Sequence, residues 1–285
     1  MDDLFPYNDN NHQTDVVILD FSKAFDTVPH TELCSKLKSY GVDGPIFEWL
    51  KSFLSKRYKQ VVVDGESSKK ATVDSGVPQG TVLGPLLFLV HINDLPQSVT
   101  SQVRLFADDF LLYRKINNQQ DYELLQKDLT SLERWAEKWG MRFNPQKCYI
   151  MSINNKHPHF YTLCNHVLKQ VQQNPYLGLT LSEDLTWSTH ISKICKKASS
   201  TMALLRRNIR HCPRECKMTA YLSLVRSNLD YGSTIYDPYL QQDVNKLERI
   251  QRQVARFITD TGFVELVLTH DYIEYRNENI YCLCS

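Results

Sequence analysis

Val103-Arg-Leu-Phe-Ala-Asp108-Asp109-Phe-Leu-Leu-Tyr113 is a β-type apolar stretch with two adjacent carboxylates at its middle. Runs of this kind suit strands buried in a sheet. A second stretch, Asp15-Val-Val-Ile-Leu-Asp20, is similar and ends in another carboxylate. Burying such groups unpaired is costly. Each has an ordinary explanation taken singly, the pair as a hairpin turn and Asp20 as a helix cap. Asp109 lacks the Gly or Asn neighbours that a tight two-residue turn prefers, which weighs against the plain turn. On adjacent strands, Asp20, Asp108 and Asp109 would repel one another unless divalent cations neutralise them. All-oxygen ligation suits Mg²⁺, which keeps waters and recruits substrate phosphates. The chemistry this suggests is two-metal phosphoryl transfer, with ions about 4 Å apart.

Outward from these stretches, period and punctuation predict further elements. Thr31 to Ser39 and Pro45 to Leu54 read as helices, and Tyr58 to Val63 and Ala71 to Asp74 as strands around a turn at Asp64-Gly65. Leu83 to Leu95 reads as a buried helix with Pro85 in its first turn. Gln102 to Arg114 reads as a hairpin carrying the acidic pair. Asp121 to Trp139 is amphipathic, with Leu125, Leu129, Leu132, Trp135, Ala136 and Trp139 on one stripe, and its tryptophans read as core anchors. Lys147 to Ile153, Tyr161 to Val171 and Tyr176 to Leu181 follow as strands. From Ser188 the pattern turns helical, with further helices at Arg214 to Arg226 and Asp243 to Ile258.

Composition excludes several classes. Of 285 residues, 42% are hydrophobic and 23% charged, as in a globular rather than a disordered chain. The net charge of +1 gives no overall attraction to nucleic acid, but charge is concentrated locally. Lys193, Lys196, Lys197, Arg206, Arg207, Arg210, Arg214 and Lys217 stand against Glu215 alone between Ser188 and Lys217, a footprint suited to a phosphate backbone. The plain reading of any one such helix is a solvated basic face. Eight scattered cysteines and a start without a signal peptide point to a reduced, intracellular compartment, nucleus and cytoplasm undistinguished. His211-Cys212 with Cys216, and Cys282 with Cys284, are no complete zinc pattern. Val82 to Ile92 is too short to span a membrane.

The run Asp20-Phe-Ser-Lys-Ala-Phe25-Asp26, then Ser75-Gly-Val-Pro-Gln-Gly-Thr-Val-Leu-Gly-Pro85, then Phe106-Ala-Asp-Asp109 resembles the reverse transcriptases of non-LTR (LINE-type) retrotransposons, especially the jockey and CR1-like groups. Trp139-Gly-Met-Arg-Phe-Asn-Pro-Gln-Lys-Cys148, Tyr176-Leu-Gly178, Leu224-Val-Arg226 and Asp237-Pro-Tyr239 extend the likeness in family order from about residue 14 to about 258. It implies an α+β fold, a polymerase palm of antiparallel sheet with packed helices followed by an α-helical thumb. It further implies an RNA-directed DNA polymerase with an RNA template, a DNA primer, dNTPs and two Mg²⁺ ions, Mn²⁺ being the alternative.

Site roles follow from the resemblance. Asp20 and Asp108 ligate metal with the backbone carbonyl of Phe21, and Asp109 is the third carboxylate. Phe25 blocks a ribose 2′-OH; its plain reading is a core phenylalanine. Gly76, Pro78, Gln79 and Gly80 form the loop beneath the templating base and incoming nucleotide, with Gln79 making the contact; the plain reading of Gln79 is a loop amide. Lys147 protonates the leaving pyrophosphate, or is a surface lysine. Tyr176, Leu177 and Gly178 form the primer grip, the plain reading of Gly178 being a bulge, and the basic helices grip a duplex. The likeness divides the chain into 1–14, the remnant of a fingers linker; 15–182, palm with part of the fingers; 183–260, thumb; and 261–285, a divergent tail. Most of the fingers are absent from this pattern. An inactive nucleic-acid-binding remnant of the same ancestry is therefore the alternative to an active polymerase.

Overall fold

The computed structural model describes residues 12–154 and 159–259. The expected tail at 261–285 and nearly all of 1–14 lie outside them. Strand β1 (Gln13–Leu19) is buried at every position. Short α1 (Ala24–Thr27), α2 (His30–Ser39) and α3 (Gly44–Leu54) follow. A ribbon comes next, with β2 (Arg57–Lys59) antiparallel to β5 (Ala71–Val73) and β3 (Val62–Val63) antiparallel to β4 (Glu66–Ser67). Asp64 and Gly65 turn it with φ 51° and 86°, the paired positive φ that two-residue hairpin turns favour.

Helix α4 (Leu83–Ile92) ends three residues before the expected Leu95, and a 3₁₀ turn, Leu95–Ser98, takes over at Pro96. β6 (Gln102–Phe106) and β7 (Asp109–Ile116) form the expected hairpin. Helix α5 (Gln119–Lys138) starts two residues before Asp121 because Asn118 caps it reciprocally with Asp121, a capping box. β8 begins only at Tyr149 and runs to Ile153. Pro145, which has no N–H for a ladder, opens a 3₁₀ turn that carries Lys147. The expected strand Tyr161 to Val171 breaks at Cys164-Asn165, both with positive φ. It becomes β9 (Thr162–Leu163), β10 (His166–Val167) and β11 (Lys169–Gln170).

One sheet organises these elements, in the order β11-β8-β1-β7-β6. β1 is central and antiparallel to both β7 and β8, while β11 runs parallel to β8. Leu19 lies opposite Phe110, so the chain leaves β1 beside the start of β7. Tyr122, Leu125, Leu129, Leu132, Trp135 and Ala136 bury the inner stripe of α5, each large side chain contributing roughly 1.5–3 kcal/mol over exposure. Trp135 is a core residue as expected. Trp139 is only partly buried, and its ring lies 3.8 Å from the ammonium of Lys36. Lys36, 2% exposed, is tied to Asp94 Oδ1 at 2.5 Å, as buried charges must be.

The chain divides into two compact units at Leu177/Gly178. β12 (Gln173–Tyr176) closes the first and β13 (Leu179–Ser182) opens the second, so the strand expected over Tyr176 to Leu181 is interrupted at the junction. The second unit holds α6 (Ser188–Asn208), α7 (Arg214–Tyr221), α8 (Ser227–Asp230) and α9 (Gln241–Thr259). Leu222–Arg226 passes through π-helical geometry, which splits the single helix expected over Arg214 to Arg226. Ile191, Ala198, Met202 and Leu205 face Leu247, Ile250, Val254 and Phe257 inward. Lys217 departs from its expected place in the basic footprint. It is 1% exposed, with Nζ 5.3 Å from the ring of Phe257.

Candidate active site

Ala107 and Asp108 form the two-residue turn between β6 and β7, closed by Phe106 opposite Asp109. The acidic pair is therefore both a turn and a cluster. Ala107 holds φ 53° where Gly or Asn would be unstrained, and strain of this sort concentrates at functional sites. Asp20 follows the last residue of β1, and the Leu19–Phe110 register brings it beside Asp109. The electrostatics agree. Burial, then the charges of Asp108 and Asp20, raise the Asp109 carboxyl above its ordinary value. Asp20 is raised by burial and by Asp108, against the lowering pull of Lys147. Lys147 Nζ stands 3.9 Å from Asp20 Oδ2 on a largely exposed side chain.

The segment after α5 backs this cluster. Asn144 N–H donates to the carbonyl of Asp20 and Ser22 N–H to that of Arg142, both at 2.8 Å. Phe21 lies opposite Phe143 in an isolated antiparallel bridge, with the rings stacked at 4.5 Å. Because flanking residues carry the hydrogen bonds, this is a non-hydrogen-bonded pair, and the carbonyl of Phe21 points away from Phe143. Cys148, 1% exposed, accepts from Asp20 N–H at 3.4 Å and donates to the Asp20 carbonyl. Burial pushes its thiol up to about 11, so it is an inert support. Gly140 (φ +68°) is forced, since a Cβ there would lie 2.4 Å from Pro29.

The loop after β5 lies against α1. Gly76 N–H donates to Val28 and Val77 N–H to Phe25, both at 2.8 Å. Ser75 Oγ donates to the Asp26 carbonyl at 2.9 Å, and Gln79 Nε2 lies 3.3 Å from Asp26 Oδ1. A Cβ on Gly76 (φ +84°) would stand 2.7 Å from the Asp26 carbonyl oxygen. Gly80 (φ +76°) meets nothing, and Gln79 is exposed. Phe25 is half-buried and stacked 4.5 Å from Phe88. Arg57 and His30 pin the loop through the Gly76 carbonyl. Sequence reasoning missed both, because their partner is a backbone oxygen that no motif encodes.

Tyr176 reaches the same region. Burial raises its hydroxyl, the charge of Asp109 adds to this, and Arg104 opposes it. Leu177 and Gly178 turn the chain with φ 48° and 78°. A Cβ on Gly178 would meet the ring of Tyr231 at 2.7 Å. In the second unit Lys193, Lys196, Lys197, Arg206, Arg207 and Arg210 are exposed on and just after α6. Lys193 Nζ contacts Thr180 Oγ1 at 3.3 Å, and Arg206 donates to the carbonyl of Gln253 at 3.0 Å.

Among the described residues no trio of His, Cys, Asp or Glu side chains closes a metal shell unaided. The donor set nevertheless fits a hard cation that retains waters and takes substrate oxygens. Burial raises both Asp20 and Asp109, and the charges of Asp108 and Asp20 raise Asp109 further, so the carboxylates stand close enough to repel. Among the described residues no helix is long and apolar enough to cross a membrane.

Residues 5–181 match the family model for reverse transcriptase (RNA-dependent DNA polymerase). The RNA-directed DNA polymerase from mobile element jockey of Drosophila melanogaster is 32% identical over 257 residues, covering 85% of this chain and 28% of that protein. The probable RNA-directed DNA polymerase from transposon BS of the same species is 30% identical over 271 residues, covering 90% and 30%. The chain thus spans less than a third of these relatives. A telomerase from Candida tropicalis, solved with a TWJ fragment of telomeric RNA, matches 98% of this chain and 45% of its own. Its TM-score is 0.51 at 12% identity, a likeness of fold alone.

Proposed function

Because the chain belongs to the reverse transcriptase (RNA-dependent DNA polymerase) family, we propose that it forms the palm and thumb of a non-LTR retrotransposon polymerase, adding dNTPs to a DNA primer 3′-OH opposite an RNA template. The five-stranded sheet is the palm and the helices from Ser188 onward are the thumb. One observation carries this reading: Asp20 and Asp109, remote in sequence, adjoin through the β1–β7 register, and with burial and the Asp108 charge the Asp20 charge raises the Asp109 carboxyl.

Asp20, Asp108, Asp109 and the Phe21 carbonyl would hold two divalent cations, Mg²⁺ by their oxygen chemistry. When bound, such ions activate the attacking hydroxyl and neutralise charge on the phosphates. Gly76, Pro78, Gln79 and Gly80 support the templating base and incoming nucleotide, and Phe25, held by Phe88, closes the space at the sugar 2′ position. Lys147 is within reach to hand a proton to the departing pyrophosphate. Tyr176, Leu177 and Gly178 seat the primer terminus, while Lys193, Lys196, Lys197, Arg206, Arg207 and Arg210 contact the duplex backbone.

Primer extension on an RNA template with Mg²⁺ tests the reading. Wild type extends and Asp108→Asn does not. If neither extends yet both bind duplex, the chain is a non-catalytic nucleic-acid binder.

A further inference from the structure

Asp26 follows Phe25 on α1 and is exposed. Neither α1 nor α2 is capped by a side-chain hydrogen bond, so Asp26 is not a helix cap. Its carboxylate reaches instead to the loop after β5, where Gln79 Nε2 donates to Asp26 Oδ1 at 3.3 Å.

The main chain is fixed on both sides of that bond. Asp26 N–H donates to the Lys23 carbonyl at 2.9 Å, and the Asp26 carbonyl accepts from Ser75 Oγ at 2.9 Å. On the loop, Val77 N–H donates to the Phe25 carbonyl at 2.8 Å, and the Pro78 carbonyl accepts from Thr81 Oγ1 at 2.8 Å. Thr81 Oγ1 in turn accepts from Gly84 N–H at 3.1 Å, which ties the loop to the first turn of α4. Two rotatable side chains thus rise from anchored segments, and the bond between them selects one geometry. An ionised carboxylate only accepts hydrogen bonds, whereas a glutamine amide has a donor end and an acceptor end. The NH₂ end must therefore face Asp26, and Oε1 is left for a ligand.

We propose that Asp26 is a positioning residue, which sets the end of the Gln79 amide that meets the incoming nucleotide. The proposal rests on the reading of this loop as the nucleotide seat. With Asp26 in place, Gln79 offers its carbonyl oxygen to a hydrogen-bond donor on the nucleotide. Without the carboxylate the amide turns over freely, and its two ends compete for one partner.

A double-mutant cycle in primer extension tests this, with Asp26→Ala, Gln79→Ala and the two together. Asp26→Ala should raise KM for dNTP about fivefold, the effect of one lost hydrogen bond, while lowering kcat far less and leaving the melting temperature in place. In the Gln79→Ala background the same substitution should raise KM no further. Asp26→Asn keeps an acceptor and should recover most of the affinity. An equal rise in both backgrounds would mean that Asp26 acts alone or on the fold, and overturns the proposal. The Gln79 side-chain amide gives a second readout in the isotope-labelled full chain. Its NMR signal, identified by its loss in Gln79→Ala, should shift in Asp26→Ala and far less in Asp26→Asn. A signal unmoved in Asp26→Ala also overturns the proposal. The spectrum requires no turnover, so a wild type that fails to extend sinks the proposed function while the Asp26–Gln79 bond is still decided.

Discussion

Arg57 Nη2 donates to the carbonyl oxygen of Gly76 at 2.6 Å, and His30 Nε2 lies 2.9 Å from the same oxygen. That oxygen anchors the loop whose amides bond Phe25 and Val28. A hydrogen bond from a charged donor contributes about 1.5–3 kcal/mol. Arg57→Ala should therefore loosen the loop proposed to seat the incoming nucleotide, raising KM for dNTP several-fold more than it lowers kcat. Arg57→Lys should recover part of the loss. Steady-state kinetics decide, and an unchanged KM in Arg57→Ala would remove the latch role.

Asp109 illustrates a conflict between stability and function. Its carboxyl is raised in the fold by burial, Asp108 and Asp20. A raised acid stabilises the fold when protonated and loses that contribution as pH climbs through its folded pKa. At neutral pH the charged form is therefore a burden. Asp109→Asn should raise the melting temperature in metal-free buffer while lowering extension by about 10²-fold or more. Thermal denaturation with and without Mg²⁺ checks the pair, and Mg²⁺ should stabilise wild type more than the variant. A lower melting temperature for the variant in metal-free buffer would refute the electrostatic account.

Phe25 is stacked on Phe88, so its ring is fixed rather than free to swing. Phe25→Ala should admit ribonucleotides about tenfold better relative to dNTPs, a change of roughly 1.4 kcal/mol at the transition state. Phe25→Leu should shift the ratio less. Competition between rNTP and dNTP in primer extension measures it. An unchanged ratio in an active Phe25→Ala protein would return Phe25 to a purely packing role.

His91 is fully buried, and its Nε2 lies 3.2 Å from the Trp139 carbonyl. Burial and the charge of Lys36 depress its pKa from 6.5 to about 4. The unfolded chain thus binds a proton that the fold refuses between those values. Stability is whole above about pH 6.5 and is lost as pH falls toward 4, by up to about 3 kcal/mol from this group. In His91→Gln, whose amide can still donate to Trp139, that part of the acid loss should vanish. Urea denaturation at pH 7 and pH 4.5 for both proteins checks it, and parallel losses would acquit His91.

The exposed arginines of α6 and the turn after it should set the salt dependence of duplex binding. Neutralising Arg206, Arg207 and Arg210 together should flatten the slope by up to about 0.9 log unit for each phosphate left without its cation. Arg206 also bonds the carbonyl of Gln253, so its single variant should cost stability as well, whereas Arg207→Gln should cost affinity alone. Binding isotherms over a salt series give the slopes, and an unaltered triple-variant slope would place the duplex elsewhere.

The carboxylate strands are legible in the sequence because β1 and β7 are apolar runs of the length that burial in a sheet requires, and their order fixes which ends can meet. Turn preference points the wrong way at Ala107, where the fold holds an unfavoured φ. Lys147 reads as the head of a strand because strand propensity does not weigh the effect of Pro145 on the residues after it. Lys217 reads as surface charge because its neighbour, Phe257, is forty residues away. Charge patterning cannot register a partner at that separation. The packing of the Gly76 loop on α1 is invisible for a related reason, since it is made largely by peptide groups that every sequence possesses.

The bridge between Phe21 and Phe143 turns one prospective ligand into main chain. Natural variation at position 21 will therefore record only the demands of the stacked ring, and no library of codon changes can remove the oxygen itself. Backbone chemistry can: an ester in place of the 21–22 amide would weaken that oxygen as a donor to cations. The same replacement also deletes the Ser22 N–H that bonds Arg142. An ester in place of the 143–144 amide, which removes the Asn144 N–H bonded to the Asp20 carbonyl but leaves the Phe21 carbonyl an amide, is the matched control.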